Sequence, residues 1–229
     1  SFFTSSNYAI SFFDHLEMGQ VILSKFPIED TIYFFSTVVK RPFVTAILRL
    51  PNHERLAVTA MHLKAGGRPP DFEKRLKMLS QFFKFQRAYS YTHWILGGDA
   101  NMSHYPNDAP IPHMVDAFND MYSNDSLTYD STSNSIIPII RPHLHPDTRQ
   151  HRLDRFYLSP SLFDSFKVSN YFTFAKDLID SIQLHPSDHW GLCISLSPLS
   201  KDDLIQRILL YRQENRMLSK ALEPLRQAF

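Results

Sequence analysis

One cysteine and six glycines are all that this 229-residue chain contains of either. The lone Cys193 excludes internal disulfides and cysteine-based zinc sites. Its neighbours Leu192 and Ile194 predict a thiol buried in a strand, not a nucleophile. So little glycine argues against the Gly-rich phosphate loops of P-loop and dinucleotide-binding proteins, and neither pattern occurs. No stretch reaches the roughly 18 consecutive apolar residues of a helical membrane span, and no signal peptide is visible. An excess of charge is lacking as well. Against 24 Lys and Arg stand 23 Asp and Glu, a net charge of +1 that does not advertise a polyanionic partner. The expected setting is intracellular, nuclear or cytoplasmic.

What the chain does have is apolar bulk. Hydrophobic residues make up 43%, and 19 are Phe, enough for one large α/β domain with a thick aromatic interior. Val21–Ser24, Thr31–Val39, Phe43–Leu50 and Arg55–Met61 read as strands of a meander, with turns at Lys40-Arg41-Pro42 and Asn52-His53-Glu54. Asp71–Tyr89 carries Phe72, Leu76, Leu79, Phe82 and Phe83 at helical spacing, with Asp71 as the expected N-cap. A strand at Thr92–Leu96 follows. From Asn101 to Gln150 the chain is rich in Pro, Ser, Asn, Asp and His and reads as long loops around a short helix at Val115–Met121. Strands return at Leu153–Leu158, Lys167–Phe174 and Leu192–Leu196. Strands that mix a meander with a helical connection predict two packed sheets covered by helices.

Ser200–Glu223 reads as a helix with Ser200 as N-cap and Asp202 and Asp203 in its first turn. Leu204, Ile208, Tyr211, Asn215, Leu218 and Leu222 follow a heptad spacing, as a coiled coil with a buried Asn215 would. Ile205, Leu209 and Leu210 widen that stripe and Pro224 ends it within three heptads, which favours packing back onto the domain. The expected division is a domain over residues 1–198 and a C-terminal helix over 199–229.

Local charge is uneven. Lys64, Arg68, Lys74, Arg75, Lys77 and Lys84 lie between His62 and Arg87, opposed only by Asp71 and Glu73. Arg141–Arg155 holds four Arg, two Asp and three His. Both segments are read as candidate phosphate-facing patches or as ordinary solvated faces.

The stretch Pro186-Ser187-Asp188-His189-Trp190-Gly191-Leu192 sets a carboxylate beside an imidazole just before a strand. Alone, such a pair reads as surface polarity. It is not alone. Met61-His62-Leu63 ends one strand, Gly97-Gly98-Asp99-Ala100-Asn101 ends another, and Arg152-Leu153-Asp154-Arg155 opens a third. Titratable residues gathered at strand mouths are placed for chemistry. Asp99 can orient or deprotonate water, and Asn101 can hydrogen-bond a phosphate or that water. His189 can donate to a phosphoryl oxygen, with Asp154 fixing its tautomer. His62 alone reads as a satisfied histidine, and Arg152 and Arg155 as structural.

In their order, His62-Leu63, Gly98-Asp99-Ala100-Asn101, Arg152-Leu153-Asp154 and Ser187-Asp188-His189 resemble the motifs of the endonuclease/exonuclease/phosphatase superfamily, over roughly Gly19 to Leu196. Trp190 and the run Thr128-Tyr129-Asp130-Ser131 followed by Asn134 resemble its tyrosyl-DNA phosphodiesterase 2 branch. The resemblance implies a four-layered α/β sandwich, two packed mixed β-sheets flanked by helices. It implies a hydrolase that uses Mg²⁺, or Mn²⁺, and acts on 5′-phosphotyrosyl links between protein and nucleic acid, a role in DNA repair. Asp99, Asn101, His189, Asp154 and His62 would then be catalytic, His62 by contacting the phosphate, with Asp188 and Asp99 near the metal. The alternatives are another phosphodiesterase, nuclease or phosphatase of that fold, or a phosphate-binding remnant without turnover.

Three departures stand against the pattern. The superfamily's metal-holding glutamate, in a Gln-Glu pair on an early strand, has no counterpart, since Glu17 lacks that context. The chain is therefore expected to begin after the first strands of the fold. Ser103 stands where the branch carries arginine, and Tyr129 where it commonly carries tryptophan.

Overall fold

Residues 7–11, 19–89, 91, 93–102, 114–120, 127–141, 150–210 and 212–213 are described by the computed structural model of the chain. The strands begin with β1 (Asn7–Ser11), β2 (Gln20–Ser24), β3 (Ile28–Phe35), β4 (Pro42–Arg49) and β5 (Arg55–His62), after which comes helix α1 (Pro69–Gln86). Next are β6 (His93–Asp99), β7 (Val115–Asp116), a 3₁₀ turn (Ala117–Asp120), β8 (Tyr129–Asp130), α2 (Ile137–Ile140), β9 (Gln150–His151) and β10 (Asp154–Leu158). The series closes with α3 (Pro160–Ser165), β11 (Phe166–Phe174) and β12 (Gly191–Pro198), and residues 201–210 and 212–213 are helical.

β4 shows why the chain must layer. Phe43 and Ile47 on one face and Val44 and Ala46 on the other are all essentially inaccessible, so this strand needs cover on both sides. It lies inside a six-stranded sheet of order β3-β4-β5-β6-β10-β7. Among the described residues only β5 and β6 pair in parallel, joined by α1 as the crossover. One face packs under α1, where Met78, Leu79 and Phe82 meet Phe43, Met61, Trp94 and Leu96. Phe43 and Phe82 stack with ring centroids 4.8 Å apart. The far face is covered in two places. Ile22 of β2 packs on Val44, Ala46 and Leu48, and the β11–β12 hairpin packs Val168, Tyr171, Leu192 and Ile194 near Leu158.

The mixed α/β class expected from the sequence is the one observed. Among the described residues the second sheet comprises two separate antiparallel pairs, β1–β2 and β11–β12. Several boundaries move for local reasons. The third strand stops at Phe35 because the Ser36 hydroxyl turns to Gln81 of α1 at 2.9 Å. α1 begins at Pro69, with Arg68 at the cap position, so Asp71 is a buried first-turn carboxylate facing Arg68 and Lys64, not the cap. The helix expected at Val115–Met121 is a two-residue strand and a 3₁₀ turn through Asp120; Met121 lies outside the described residues.

The C-terminal helix opens with a reciprocal cap. The Ser200 hydroxyl accepts from the Asp203 N–H at 3.1 Å, and the Asp203 carboxylate accepts from the Ser200 N–H at 2.9 Å. Over its described turns it meets the domain through Asp203 and Arg207. Lys167 Nζ lies 2.9 Å from the Asp203 carboxylate, and the Arg207 guanidinium sits 4.0 Å from the Phe163 ring while donating to the Phe163 carbonyl. Leu204, Ile205, Ile208, Leu209 and Leu210 are exposed. Tyr211, Asn215, Leu218, Leu222 and Pro224 lie outside the described residues, as do Glu17 and Ser103.

Candidate active site

The ends of three neighbouring strands converge because of register. His62 closes β5 and pairs with Asp99 at the end of β6, and Asp99 pairs with Asp154 at the start of the antiparallel β10. Gly98 makes the approach possible. Its φ of +128° lies outside the range of ordinary residues, and a Cβ there would stand 2.2 Å from the Met61 carbonyl oxygen. Beyond the ladder, Leu63 N–H donates to the Asp99 carbonyl at 2.8 Å and Ala100 N–H to the Leu153 carbonyl at 2.9 Å. The three polar residues are thus fixed by backbone.

Asp99 is held as an acceptor on both oxygens. Its Oδ1 accepts from the Asn101 backbone N–H at 2.7 Å, and its Oδ2 accepts from Asn101 Nδ2 at 2.8 Å. Asn101 takes a left-handed φ of 50°, which asparagine tolerates, and Nδ2 also reaches the Leu63 carbonyl at 3.0 Å. The amide group of Asn101 therefore clamps the carboxylate and the end of β5. His62 Nε2 lies 3.3 Å from Asp99 Oδ2. Burial, then the Arg41 and His189 charges, lower the His62 pKa to about 4. Burial, then the Asp154 charge, raise Asp99 to about 6. At neutral pH the contact joins a neutral imidazole to a carboxylate; it is not an ion pair.

His189 Nδ1 stands 2.7 Å from Asp154 Oδ2. Burial of the imidazole opposes its charge, but the Asp154 hydrogen bond and the charges of Asp154, Asp99 and Asp188 outweigh it and raise the pKa. Asp154 is oriented in turn: the Thr128 hydroxyl oxygen accepts from the Leu153 and Asp154 N–H groups at 3.0 and 2.9 Å. Tyr129 meets the His189 ring edge-on at 5.5 Å.

Asp188 stands apart from this chain of contacts. Its Oδ2 lies 3.6 Å from Arg141 Nη2, and its charge reaches both His62 and His189.

Arg41, Ser135 and His185 join the site without having been singled out from the sequence, whereas Thr128, Asn134 and Trp190 stood out there by resemblance. Arg41, read there as part of a turn, inserts its guanidinium behind the site and donates to the His62 carbonyl at 3.4 Å and to the Leu63 carbonyl. Nothing local marks Arg41, since its partners lie more than 20 positions on. The loop bearing the Asp-His pair is tied to the 128–137 segment by Trp190 N–H to the Thr128 carbonyl at 2.7 Å and Asn134 Nδ2 to the Ser187 carbonyl at 2.8 Å. His185 Nδ1 accepts from the Ser135 N–H at 2.9 Å, which puts any ring proton on Nε2.

Several basic residues of the two candidate patches do not face a ligand. Arg152 and Arg155 are buried on Asp116, Arg152 bidentate at 3.0 and 2.7 Å and Arg155 at 3.2 Å. Arg75 is buried and donates to the carbonyls of Lys64 and Gly66.

Paired carboxylates and imidazoles gather at the end of a helix-covered mixed sheet, and the fold around them is that of the endonuclease/exonuclease/phosphatase proteins. D. rerio TDP2, solved with a single-strand DNA product, matches with a TM-score of 0.68 at 18% identity, covering 84% of this chain and 77% of that one. The endonuclease/exonuclease/phosphatase from Beutenbergia cavernae matches at 0.56 and 18%, covering 84% and 53%. The mannosyl-6-phosphatase Bt3783 of Bacteroides thetaiotaomicron matches at 0.60 and 16%, covering 85% and 78%. No protein-family model and no curated protein matches the sequence.

A divalent ion fits these residues poorly. Among the described residues no three His, Cys, Asp or Glu side chains cluster as a metal site. Both oxygens of Asp99 already accept hydrogen bonds, and Asp188 faces a guanidinium. The described carboxylates do not by themselves make the hard octahedral cage that Mg²⁺ requires.

Proposed function

We propose that the chain is a hydrolase of phosphate esters, a phosphodiesterase acting on nucleic acid. The observation that carries this reading is the junction of Asp99 and Asp154 on facing strands, each with its own imidazole, His62 and His189. Asp99, raised to about 6, is suited to orient and deprotonate a water near neutral pH. Asn101 holds that carboxylate in place. His189, its pKa raised by Asp154 against the effect of burial, donates to a phosphoryl oxygen and stabilises its developing charge. His62, neutral, offers a hydrogen bond to the phosphate or to Asp99.

The finer reading is hydrolysis of 5′-phosphotyrosyl links between protein and nucleic acid, in the presence of Mg²⁺ or Mn²⁺, as in repair of damaged DNA. It is supported by the four ordered motifs, by Trp190 beside His189 and by the fold shared with TDP2 bound to DNA product. That the described residues hold no cluster of three metal-ligating side chains supports a second reading, a domain that binds phosphate-bearing partners without turnover.

Incubation with a 5′-phosphotyrosyl oligonucleotide, a simple phosphodiester and a sugar phosphate, with Mg²⁺ or with EDTA, separates these readings. The expected result is a 5′-phosphorylated oligonucleotide, formed at least about 10²-fold more slowly by Asp99→Asn and His189→Ala. Turnover of none of the three, or turnover indifferent to both substitutions, would overturn the enzyme reading.

A further inference from the structure

We propose that Arg141 is a phosphate-contacting residue of this site, supplying from the α2 segment a positive charge that grips the backbone of a nucleic-acid ligand. The inference rests on the phosphate-site reading above but not on turnover. Three carboxylates, Asp99, Asp154 and Asp188, border the place where an anionic phosphate would sit, so cations must face it. Arg41 directs its guanidinium to backbone carbonyls behind the site. Arg152 and Arg155 are buried on Asp116. Arg141 differs from all three: its side chain is 50% exposed and stands on the rim.

Its position is fixed by what precedes it. Asn134 and Ser135 bind the loop of residues 185–190 directly, and the Arg141 N–H closes α2 on the Ile137 carbonyl at 2.9 Å. The guanidinium is therefore carried on a segment pinned to the loop that bears Asp188 and His189. Its contact with Asp188 is long, 3.6 Å through one nitrogen, and half-solvated pairs of this kind add little to stability. A guanidinium matches a phosphate with two parallel donors, a geometry that the single-nitrogen contact with Asp188 leaves available. A phosphate oxygen arriving beside Asp188 would draw Arg141 across from the carboxylate.

The test measures binding of a fluorescent 5′-phosphorylated single-stranded oligonucleotide to the whole chain by anisotropy, from about 50 to 200 mM salt, beside hydrolysis of the phosphotyrosyl substrate. Arg141→Gln is expected to weaken binding roughly tenfold and to flatten the slope of log K against log salt by about 0.7, one phosphate contact on a single strand. Arg141→Lys should restore the slope but not the full affinity. Arg55→Gln, at a 62% exposed side chain on Glu29 and at the opposite end of β5 from His62, is the control and should alter neither. An unchanged affinity and slope in Arg141→Gln, an equal loss in Arg55→Gln, or no oligonucleotide binding by the wild type would each overturn the inference. Binding that depends on Arg141 without hydrolysis would sink the enzyme reading and leave this one standing.

Discussion

Asp99 and Asp154 occupy directly opposed positions on β6 and β10, two carboxylates facing each other across an antiparallel pair. Like charges in that relationship destabilise a sheet. The fold keeps them by giving them unequal neighbours. Asp154 holds His189 at 2.7 Å, while Asp99 holds the amides of Asn101. Burial and the Asp154 charge then lift Asp99 to about 6, and Asp154 helps lift His189 above its ordinary value. Two titratable groups with environments of opposite effect are how a site sets a base beside an acid.

A bell-shaped pH dependence follows. A base must be deprotonated to act, so kcat/KM should rise as pH passes about 6 and Asp99 ionises. An acid must be protonated, so the rate should fall once pH exceeds the raised pKa of His189. Asp154→Asn removes the partner that raises His189, and the alkaline limb should move to lower pH. Rate profiles from pH 4.5 to 9 check this; an alkaline limb unmoved in Asp154→Asn would show that His189 does not set it.

The same shift predicts that the site weakens the fold. A carboxyl whose folded pKa is raised contributes stability at low pH and loses it as pH rises through the folded value. From 3.8 to about 6 the bound on that loss at pH 8 is roughly 3 kcal/mol. Asp99→Asn should therefore melt about 1–3 kcal/mol more stably than wild type at pH 8 and about equally at pH 4. A variant less stable at both pH values would show that the carboxylate, not its burial, governs the local energetics.

Much of this was legible in the residues. Apolar runs marked β4, β5 and β6, and the polar residues at their ends identified the strand mouths, because a strand that stops in Asp or His must stop at solvent. Helical spacing marked α1, though Pro69 set its start more strongly than Asp71 did. What escaped depends on partners far along the chain. Nothing near Arg41 announces the carbonyls of His62 and Leu63, and although Arg152 reads as structural, nothing near it names Asp116 as its partner. Loop pinning by Thr128, Asn134 and Ser135 is likewise a matter of hydrogen bonds spanning 50 to 62 positions. The described turns of the C-terminal helix contact the domain through Asp203 and Arg207, and Tyr211, Asn215, Leu218 and Leu222 of the heptad stripe lie outside the described residues.

The Asp116 cluster should behave as structure. Arg152 and Arg155 side chains are 3% and 8% exposed, and both face the Asp116 carboxylate. Asp116→Ala would remove the carboxylate that two buried guanidinium groups share, at a cost of about 3–5 kcal/mol. Arg152→Met, which also keeps a side chain against the Phe118 ring, should cost less. Denaturant midpoints measure both; a mild Asp116→Ala beside a severe Arg152→Met would reverse the assignment.

The last prediction concerns His185. Its ring is buried, packs edge-on against Trp190 at 4.9 Å, and accepts the Ser135 N–H at 2.9 Å. It thereby ties the 128–137 segment to the loop that presents His189, which in the proposed mechanism must meet a phosphoryl oxygen within tenths of an ångström. A misplacement of about 1 Å can cost as much as 10²-fold in rate. His185→Phe keeps the ring contact with Trp190 but leaves the Ser135 N–H without its acceptor. It should fold and lower kcat at least about tenfold, with KM changed much less. His185→Gln, whose amide oxygen can accept from Ser135, should recover part of the loss. Circular dichroism and melting establish the folded state, and the kcat-against-KM split isolates positioning from binding. Wild-type kcat in His185→Phe would show that aromatic packing alone holds the loop, and the hydrogen bond from Ser135 would then have no part in catalysis.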